Sequence, residues 1–304
     1  MARIASVVFY SVRIIFVFMN NAVFTHQVGF PKCAGSVKGL PKELHIRGIL
    51  PENLDKLGIG IVGSRRISPY GIRVLRELFY FLKDTGLAVI SGFTVGTDSY
   101  AHEFALSAGC TTVAVMPCGC DIIHPSSNKE LYKRILGGGG AVVSEFEDGF
   151  MPQKWTYPKR NRIIAALSKV VLVVEASSKS GSMITADFAK KYGRKLFSVP
   201  GDIYTERSSG TNKLLSGGAE VYLSPTRILD EMGVTSTQKA SGSVRDSGST
   251  AGETDLLYIL KEKGMNFNEL GIKTGISTGR LNEILMKMLL KNLIFEKNGV
   301  YYVL

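Results

Sequence analysis

Short apolar runs alternate with amphipathic stretches between about residues 57 and 232 of this chain. The runs predict strands because they are rich in Val, Ile, Leu and Ala and are bounded by turn residues. The predicted strands are Ile59–Val62, Leu87–Ile90, Thr112–Met116, Ala141–Ser144, Val170–Glu175, Leu196–Val199 and Ala219–Leu223. The stretches between them carry apolar residues at helical spacing. The predicted helices lie near residues 69–84, 97–108, 126–136, 160–167, 182–192, 211–216 and 225–232.

This order of elements predicts the fold class. Strands that are apolar along their whole length and alternate with helices are typical of a parallel sheet covered on both faces. We therefore predict an α/β fold over residues 57–232, with a doubly wound, mostly parallel, Rossmann-like sheet. In such a sheet, the loops that follow the carboxyl ends of the strands form the functional edge.

Residues 1–56 do not fit this pattern and form an atypical N-terminal segment. The apolar stretch Ile4–Met19 contains Arg13 and is shorter than the roughly 20 residues of a membrane helix. It also lacks a small-residue cleavage site, so we predict a buried N-terminal piece, with a membrane anchor as the alternative. Glycines and prolines predict an irregular segment over residues 31–57, and no helix-hairpin-helix domain is recognisable.

A flexible linker and a small domain are predicted after residue 232. Residues 233–252 are rich in Ser, Thr and Gly, which is typical of a linker. Three predicted helices and a hairpin around Asn298-Gly299 then indicate a winged-helix-like domain over residues 253–304. Its predicted recognition helix carries Arg280 and Lys287 but also Glu283, so contact with duplex DNA and contact with a protein are about equally favoured.

A glycine turn follows the first strand of the predicted sheet and consists of Gly63, Ser64, Arg65 and Arg66. Ser68-Pro69 then suits the start of a helix, because Ser is a good N-cap and Pro fits the first helical position. Free N–H groups, the positive end of the helix and two arginines would face one point. We interpret this stretch as a phosphate-binding site. The alternative is an ordinary strand-to-helix turn with solvated arginines.

Gly58, Gly60 and Gly63 also spell G-x-G-x-x-G, the fingerprint of dinucleotide binding. That fingerprint must follow a strand, whereas these glycines fall within one. The next predicted strand ends in Ser91-Gly92 and offers no carboxylate for a ribose. We therefore reject NAD and predict no cofactor.

Other loops at the predicted functional edge share the same character. Most are rich in Gly, Ser and Thr, and Ser180, Gly181 and Ser182 lead directly into a predicted helix. A row of such helix N-termini forms a groove suited to phosphates or carboxylates.

Two aromatic residues sit among the basic residues between positions 154 and 162. Residues 149–170 hold five basic side chains and no acidic one. Basic residues hold a nucleic-acid backbone while bases stack on aromatic rings, so the cluster is a candidate single-stranded DNA site. The alternative is a solvated helix start with Trp155 in the core. The candidate residues are Lys154, Tyr157, Arg160, Asn161 and Arg162.

The net charge of +11 favours an anionic partner. Four cysteines are too few for a disulfide scaffold, and Cys118 and Cys120 are too close for a usual zinc site. We predict small buried or semi-exposed thiols in a reduced cytoplasmic protein and no bound metal.

Asp98 and His102 share one face of a predicted helix. Two interpretations are open: an acid–base pair, or a hydrogen bond that locks the loop onto its helix. We favour the hydrogen bond, and we also favour a structural role for Glu175 and Asp187. The sequence shows no Ser, His and Asp in an order typical of a catalytic triad.

An ordered set of motifs between Leu57 and Met232 resembles the DprA/Smf family, the DNA-processing protein A group. The matching residues are Gly63-Ser64-Arg65, Ser91-Gly92 through Asp98 with Ala101-His102, Gly119-Cys120-Asp121, Ser144-Glu145, Tyr157-Pro158 with Arg160-Asn161-Arg162-Ile163-Ile164, Val174-Glu175-Ala176, Ser180 through Ala186, and Val199-Pro200-Gly201. Tyr157 stands where the family has a Phe, which keeps an aromatic ring.

The resemblance implies a non-enzymatic protein that binds single-stranded DNA, forms homodimers and has no membrane span. It also implies protection of incoming DNA in natural transformation and help in loading the RecA recombinase. The alternative is a nucleotide-hydrolysing enzyme of the phosphoribohydrolase type. Those enzymes carry a Pro-Gly-Gly-x-Gly-Thr-x-x-Glu signature, and Gly137–Gly140 is instead followed by Ala141-Val142-Val143.

Overall fold

A nine-stranded sheet organises the larger part of the protein. The computed structural model describes residues 26–29, 39–51, 54–234, 256–257, 259–260, 264–290 and 293–303. The elements up to residue 234 are β1 (His26–Gly29), β2 (Glu43–Gly48), α1 (Leu54–Leu57), β3 (Gly58–Val62), α2 (Pro69–Leu82), β4 (Ala88–Ser91), α3 (Thr97–Ser107), β5 (Thr111–Met116), α4 (Lys129–Gly137), β6 (Ala141–Ser144), α5 (Thr156–Leu167), β7 (Val170–Val173), α6 (Gly181–Lys191), β8 (Lys195–Ser198), α7 (Glu206–Ser216), β9 (Glu220–Val221) and α8 (Pro225–Met232).

The strands are ordered β1-β2-β6-β5-β4-β3-β7-β8-β9. All pairings from β6 to β9 are parallel, and β1 and β2 join antiparallel at one edge. The chain runs outward from β3 to β6 and then returns to place β7 on the other side of β3. The switch point of this Rossmann-like sheet therefore lies between β3 and β7, where ligands of such folds bind.

Both faces of the sheet are buried, as the continuous apolar strands predict. Ile59 and Ile61 face a core shared with α2, α3 and α8. Val171 and Val173 face the opposite core, formed with α5 and α6. Because neither face is open to solvent, the polar chemistry of this unit gathers at the edge where the strands end.

The N-terminal segment departs from its prediction. Residues 43–48 form β2, which pairs with β6 in the main sheet, whereas we expected an irregular segment over residues 31–57. Leu44 and Ile46 are buried and alternate with half-buried His45 and Arg47. This alternation spans too few residues to stand out among the flanking glycines and prolines. The stretch Ile4–Met19 lies outside the described residues.

Three helices also begin or end differently from the sequence pattern. Helix α5 begins at Thr156 rather than 160, and α7 begins at Glu206 rather than 211. Residues 126–128 form a 3₁₀ turn before α4. The earlier starts move the first turns of α5 and α7 to the functional edge of the sheet.

A separate compact unit follows residue 240. It contains β10 (Met265–Asn266), α9 (Phe267–Thr274), α10 (Thr278–Leu290), β11 (Ile294–Lys297) and β12 (Val300–Val303), with an antiparallel sheet in the order β10-β12-β11. Two helices followed by a hairpin agree with a winged-helix-like domain. Arg280 and Lys287 on α10 both pair with Glu283. Most of the first predicted helix, Thr254–Lys263, lies outside the described residues.

No helix in the described part of the chain is long and apolar enough to cross a membrane. Cys110, Cys118 and Cys120 are free and buried, and burial raises the pKa of the Cys110 thiol to about 11 and that of Cys118 to about 12. The prediction of buried thiols is therefore confirmed for these three residues.

His102 is fully buried between β4 and β5. Its Nε2 lies 2.9 Å from the Gly92 carbonyl oxygen, and its Nδ1 lies 2.6 Å from the Thr112 hydroxyl, which donates to the Val89 carbonyl at 3.1 Å. Burial lowers the pKa of His102 below its ordinary value of 6.5, since the charged ring would lose its hydration. The imidazole is therefore a buried structural link between α3 and these two strands.

This burial predicts a pH-dependent stability. The unfolded chain binds a proton at His102 near the ordinary pKa of 6.5 and the folded chain binds it only at lower pH, so stability falls as the pH falls through about 6.5. We expect His102 to lower the free energy of unfolding as the pH falls from about 7.5 to about 5.5. Urea unfolding at both pH values would show this loss, and His102→Gln should reduce it. Exposed His124 supplies the control variant His124→Gln. An equal pH dependence in His102→Gln and the wild type would contradict the assignment.

Candidate nucleic-acid interface

A cleft of about 710 Å³ opens at the carboxyl ends of β3, β4 and β7. It is bounded by the turn after β3, the first turns of α3, α5 and α6, and the start of α7. The sequence-predicted residues that line it are Gly63, Ser64, Arg65, Arg66, Lys154, Tyr157, Arg160, Asn161, Ser180, Gly181 and Ser182. The fold thus brings together eleven of the twelve candidates, and Arg162 alone of them lies outside the lining.

The turn after β3 presents two arginines to the cleft. Arg65 and Arg66 are exposed, and the Arg66 amide donates to the Ser64 hydroxyl at 3.0 Å, which tightens the turn. The Arg65 guanidinium lies over the Tyr157 ring, 5.5 Å from its centroid. This cation–π contact orients a charged fork toward the cleft, in a form suited to bidentate contact with phosphate.

Helix α6 points its N-terminus at the same turn. Ser180 caps the helix by accepting from the Ser182 amide at 3.2 Å. The Ser182 hydroxyl donates to the Gly63 carbonyl at 2.8 Å, and the Asn161 amide donates to the Gly181 carbonyl at 3.1 Å. These bonds fix the helix end beside the arginines, where its free N–H groups and dipole favour an anion.

The basic cluster of residues 154–162 divides into exposed and buried charges. Lys154 is exposed at the cleft and makes no ion pair within the described part of the chain. Arg162 is buried away from the cleft, where it pairs with Glu145 at 2.5 Å and donates to the Gly39 carbonyl at 2.6 Å. Lys159 also pairs with Glu145, at 3.2 Å. Arg162 and Lys159 are therefore bound to Glu145 rather than free for a ligand.

Arg160 forms the floor of the cleft. It is buried, donates to the Val115 carbonyl and holds the Asn161 side chain at 3.1 Å. Burial lowers its pKa and the nearby Asp98 carboxylate opposes this shift, so the guanidinium stays charged beneath the cleft. A Cβ at Gly92 would lie 2.2 Å from the Asp98 carboxylate and 2.6 Å from the Arg160 guanidinium, so a larger residue there would have to displace these side chains.

Sequence reasoning missed Arg207, Thr94 and Ser177, which also line the cleft. Arg207 is exposed in the first turn of α7. The late predicted start of that helix concealed its position. The available signal was the loop at residues 200–210, which follows the carboxyl end of β8.

Asp98 and His102 do not form an acid–base pair. The Asp98 carboxylate accepts from the Thr94 hydroxyl at 2.8 Å and locks the loop, as the favoured interpretation predicts, whereas His102 bonds elsewhere. Glu175 accepts from the Ser68 amide at 2.9 Å and supports the start of α2. No cluster of potential metal ligands occurs among the described residues.

The fold and the cleft define a class of protein: a Rossmann-like unit that offers an open, basic, helix-capped groove at its switch point. The model of the family described as DNA recombination-mediator protein A matches residues 21–233. The chain belongs to this family.

Curated relatives support the same membership. Protein Smf of Synechocystis is 36% identical over 67% of this chain, and protein Smf of Escherichia coli is 39% identical over 63%. DNA processing protein DprA of Bacillus subtilis is 36% identical over 70% of the chain. The match spans 52%, 51% and 71% of these relatives' own lengths, so it reaches only about half of the two Smf proteins.

Two solved structures share the fold. DprA from Streptococcus pneumoniae superposes with a TM-score of 0.64 and 34% identity, covering 68% of this chain and 74% of that one. DprA from Helicobacter pylori, described for its single-stranded DNA binding mode, gives a TM-score of 0.62 and 34% identity. That match covers 70% of this chain and 97% of the H. pylori chain.

The geometry of the cleft predicts a strict need for glycine at position 96. Gly96 has φ of +84°, and a Cβ there would overlap the backbone of Ser64 and Arg65. Gly109→Ala is a matched control, because Gly109 has φ of +71° with nothing within 4 Å of a Cβ. We expect strain alone to cost the control about 1–2 kcal/mol, and overlap to cost Gly96→Ala about 1–3 kcal/mol more. Urea unfolding would compare them, and equal losses would contradict the close approach.

Proposed function

We propose that this protein binds single-stranded DNA in the cleft between the turn after β3 and the start of α6. The observation that supports the proposal is the meeting of exposed Arg65, Arg66, Lys154 and Arg207 in one open groove. Within the described residues, none of these four forms an ion pair with a carboxylate. Their charge is therefore available to phosphates, and each phosphate contact releases counterions.

The preference for a single strand follows from the shape and composition of the cleft. The groove is bounded by turns and helix ends, which can contact the flexible backbone of a single DNA strand. It also holds the Tyr157 ring beside the four basic side chains. Aromatic rings stack on bases that a duplex would hide. The relative from H. pylori that is described for single-stranded DNA binding shares the fold.

We infer a role without catalysis. The carboxylates nearest the cleft have structural partners, since Asp98 holds Thr94 and Glu175 holds Ser68. The phosphoribohydrolase alternative lacks its glycine-rich signature, and His102 is buried away from any substrate. We propose that the protein protects a bound strand rather than cutting it.

We further propose that the protein acts as a homodimer that helps load the RecA recombinase during natural transformation. Family membership supports the link to recombination. At the sheet edge, β9 leaves Val221 37% exposed and Leu223 beside it 75% exposed. An open edge strand with exposed apolar residues suits pairing with a second copy.

The first functional prediction concerns Arg65. Arg65→Ala should weaken binding of a single-stranded oligonucleotide by about 1.5–3 kcal/mol, the scale of a charged hydrogen bond. Fluorescence anisotropy measures the affinity. Arg134→Ala removes the same charge from an exposed position on α4 and should leave affinity nearly unchanged. Equal affinity for Arg65→Ala and the wild type would contradict the proposed site.

The second functional prediction separates Lys154 from Arg162. Each phosphate neutralised on a single strand contributes about −0.7 to the slope of log K against log salt. Lys154→Ala should make the slope shallower by roughly that amount. Arg162→Ala should lower stability, because it removes a partner of the half-buried Glu145, and should leave the slope unchanged in folded protein. A shallower slope for Arg162→Ala, or an unchanged slope for Lys154→Ala, would reverse the assignment.

A further inference from the structure

Trp155 is the one tryptophan of the chain, and 54% of its side chain is exposed. It lies immediately before α5, between Lys154 and the first turn that carries Tyr157. Both of those neighbours line the cleft, whereas Trp155 does not. Packing in the hydrophobic core does not account for a large aromatic ring that is exposed beside a charged groove.

The ring is held in place by two other aromatic side chains. Phe146 and Phe150 stack with centroids 4.4 Å apart and planes 12° apart. Trp155 stands at about 80° to both, with centroid distances of 5.7 and 6.1 Å. Lys159 lies over the Trp155 ring at 5.6 Å and is itself tied to Glu145. The ring is thus pre-organised while about half of it faces solvent.

The loop that carries this aromatic group is anchored to the sheet edge. The Gly119 amide donates to the Phe150 carbonyl at 2.9 Å, and the Gly149 amide donates to Asp121 at 2.9 Å. Arg47 on β2 pairs with Asp148 at 2.9 Å. A loop tied at three points presents its exposed ring in a fixed position, which lowers the entropy lost on binding.

Tyr157 is less open to a base than its place in the cleft suggests. The Arg65 guanidinium covers part of its ring, and His124 makes an edge contact with a centroid distance of 6.4 Å. Part of the Tyr157 ring is therefore covered within the cleft, whereas about half of Trp155, the ring next to the exposed charge of Lys154, faces solvent.

We propose that Trp155 forms a base-stacking platform outside the cleft. A strand whose phosphates are held by Arg65 and Lys154 leaves the cleft over this ring, and one base stacks on its exposed part. The assignment rests on the proposed single-stranded DNA site and extends its footprint beyond the groove. Trp155 directly follows Lys154 in the sequence, and Lys159 lies over its ring. This positive charge beside the ring favours nucleic acid over a protein as the partner.

The single tryptophan makes a direct test feasible, because emission excited at the red edge of tryptophan absorption, where the 12 tyrosines do not absorb, reports on Trp155 alone. The probes are a labelled oligothymidylate and a labelled abasic oligonucleotide of equal length, which has the same phosphates but no bases. Anisotropy measures binding of each, and tryptophan emission measures stacking. We expect both to bind at low salt and only the oligothymidylate to quench the emission strongly.

Two outcomes of this titration overturn the proposal separately from the DNA site itself. Saturating oligothymidylate that leaves the emission unchanged would mean that no base reaches Trp155. Equal quenching by the abasic strand would mean that charge, not stacking, alters the ring. Absence of binding by either strand would instead overturn the proposed function and this inference together.

Variants supply a second readout. Trp155→Leu should weaken oligothymidylate binding at least about fivefold at every salt concentration without changing the salt slope, and Trp155→Phe should retain most of the affinity. Tyr80→Leu is the control, since Tyr80 is 60% exposed near the end of α2 that points away from the cleft. Unchanged affinity in folded Trp155→Leu would overturn the platform and assign the exposed ring to a protein contact.

Discussion

The cleft depends on a close approach between the turn after β3 and the first turns of two helices. The Thr97 amide at the start of α3 donates to the Ser64 carbonyl at 3.0 Å, and Ser182 at the start of α6 donates to the Gly63 carbonyl. A Cβ at Gly63 would lie 2.5 Å from the Thr97 hydroxyl, so the approach requires glycine. Once the backbones meet here, two positive helix ends and the arginines of the turn share one space.

The same geometry explains why some basic side chains are buried beneath the cleft and others are exposed at its edge. Arg160 and Arg162 are drawn inward, where carbonyls and carboxylates satisfy their guanidinium groups. Arg160 thereby holds α5 against β5 of the sheet, and Arg162 holds it against Gly39 in the N-terminal part of the chain. Arg65 and Lys154 remain outside and carry the charge that a ligand would meet. A basic run in sequence therefore serves two purposes, and only some of its members face solvent.

The sheet could be read from the sequence because burial on both faces leaves continuous apolar strands, and Ala141–Ser144 matches its predicted bounds. The cleft could be located because parallel strands end at one edge and Gly63–Arg66 follows the first of them. Strand β2 could not be predicted, since its alternation of buried and half-buried residues spans only a few positions. The inward orientation of Arg162 could not be predicted either, because its partner Glu145 precedes it by 17 positions, in the loop after β6. Such pairings depend on tertiary geometry that local pattern does not contain.

The central claim is that the cleft recognises a single strand rather than any anionic polymer. The most direct measurement compares the affinities of one sequence as a single strand and as a duplex, by anisotropy at two salt concentrations. The account predicts tighter binding of the single strand at both, with an advantage that persists at the higher salt because stacking releases no counterions. Equal or tighter duplex binding at the higher salt would contradict it.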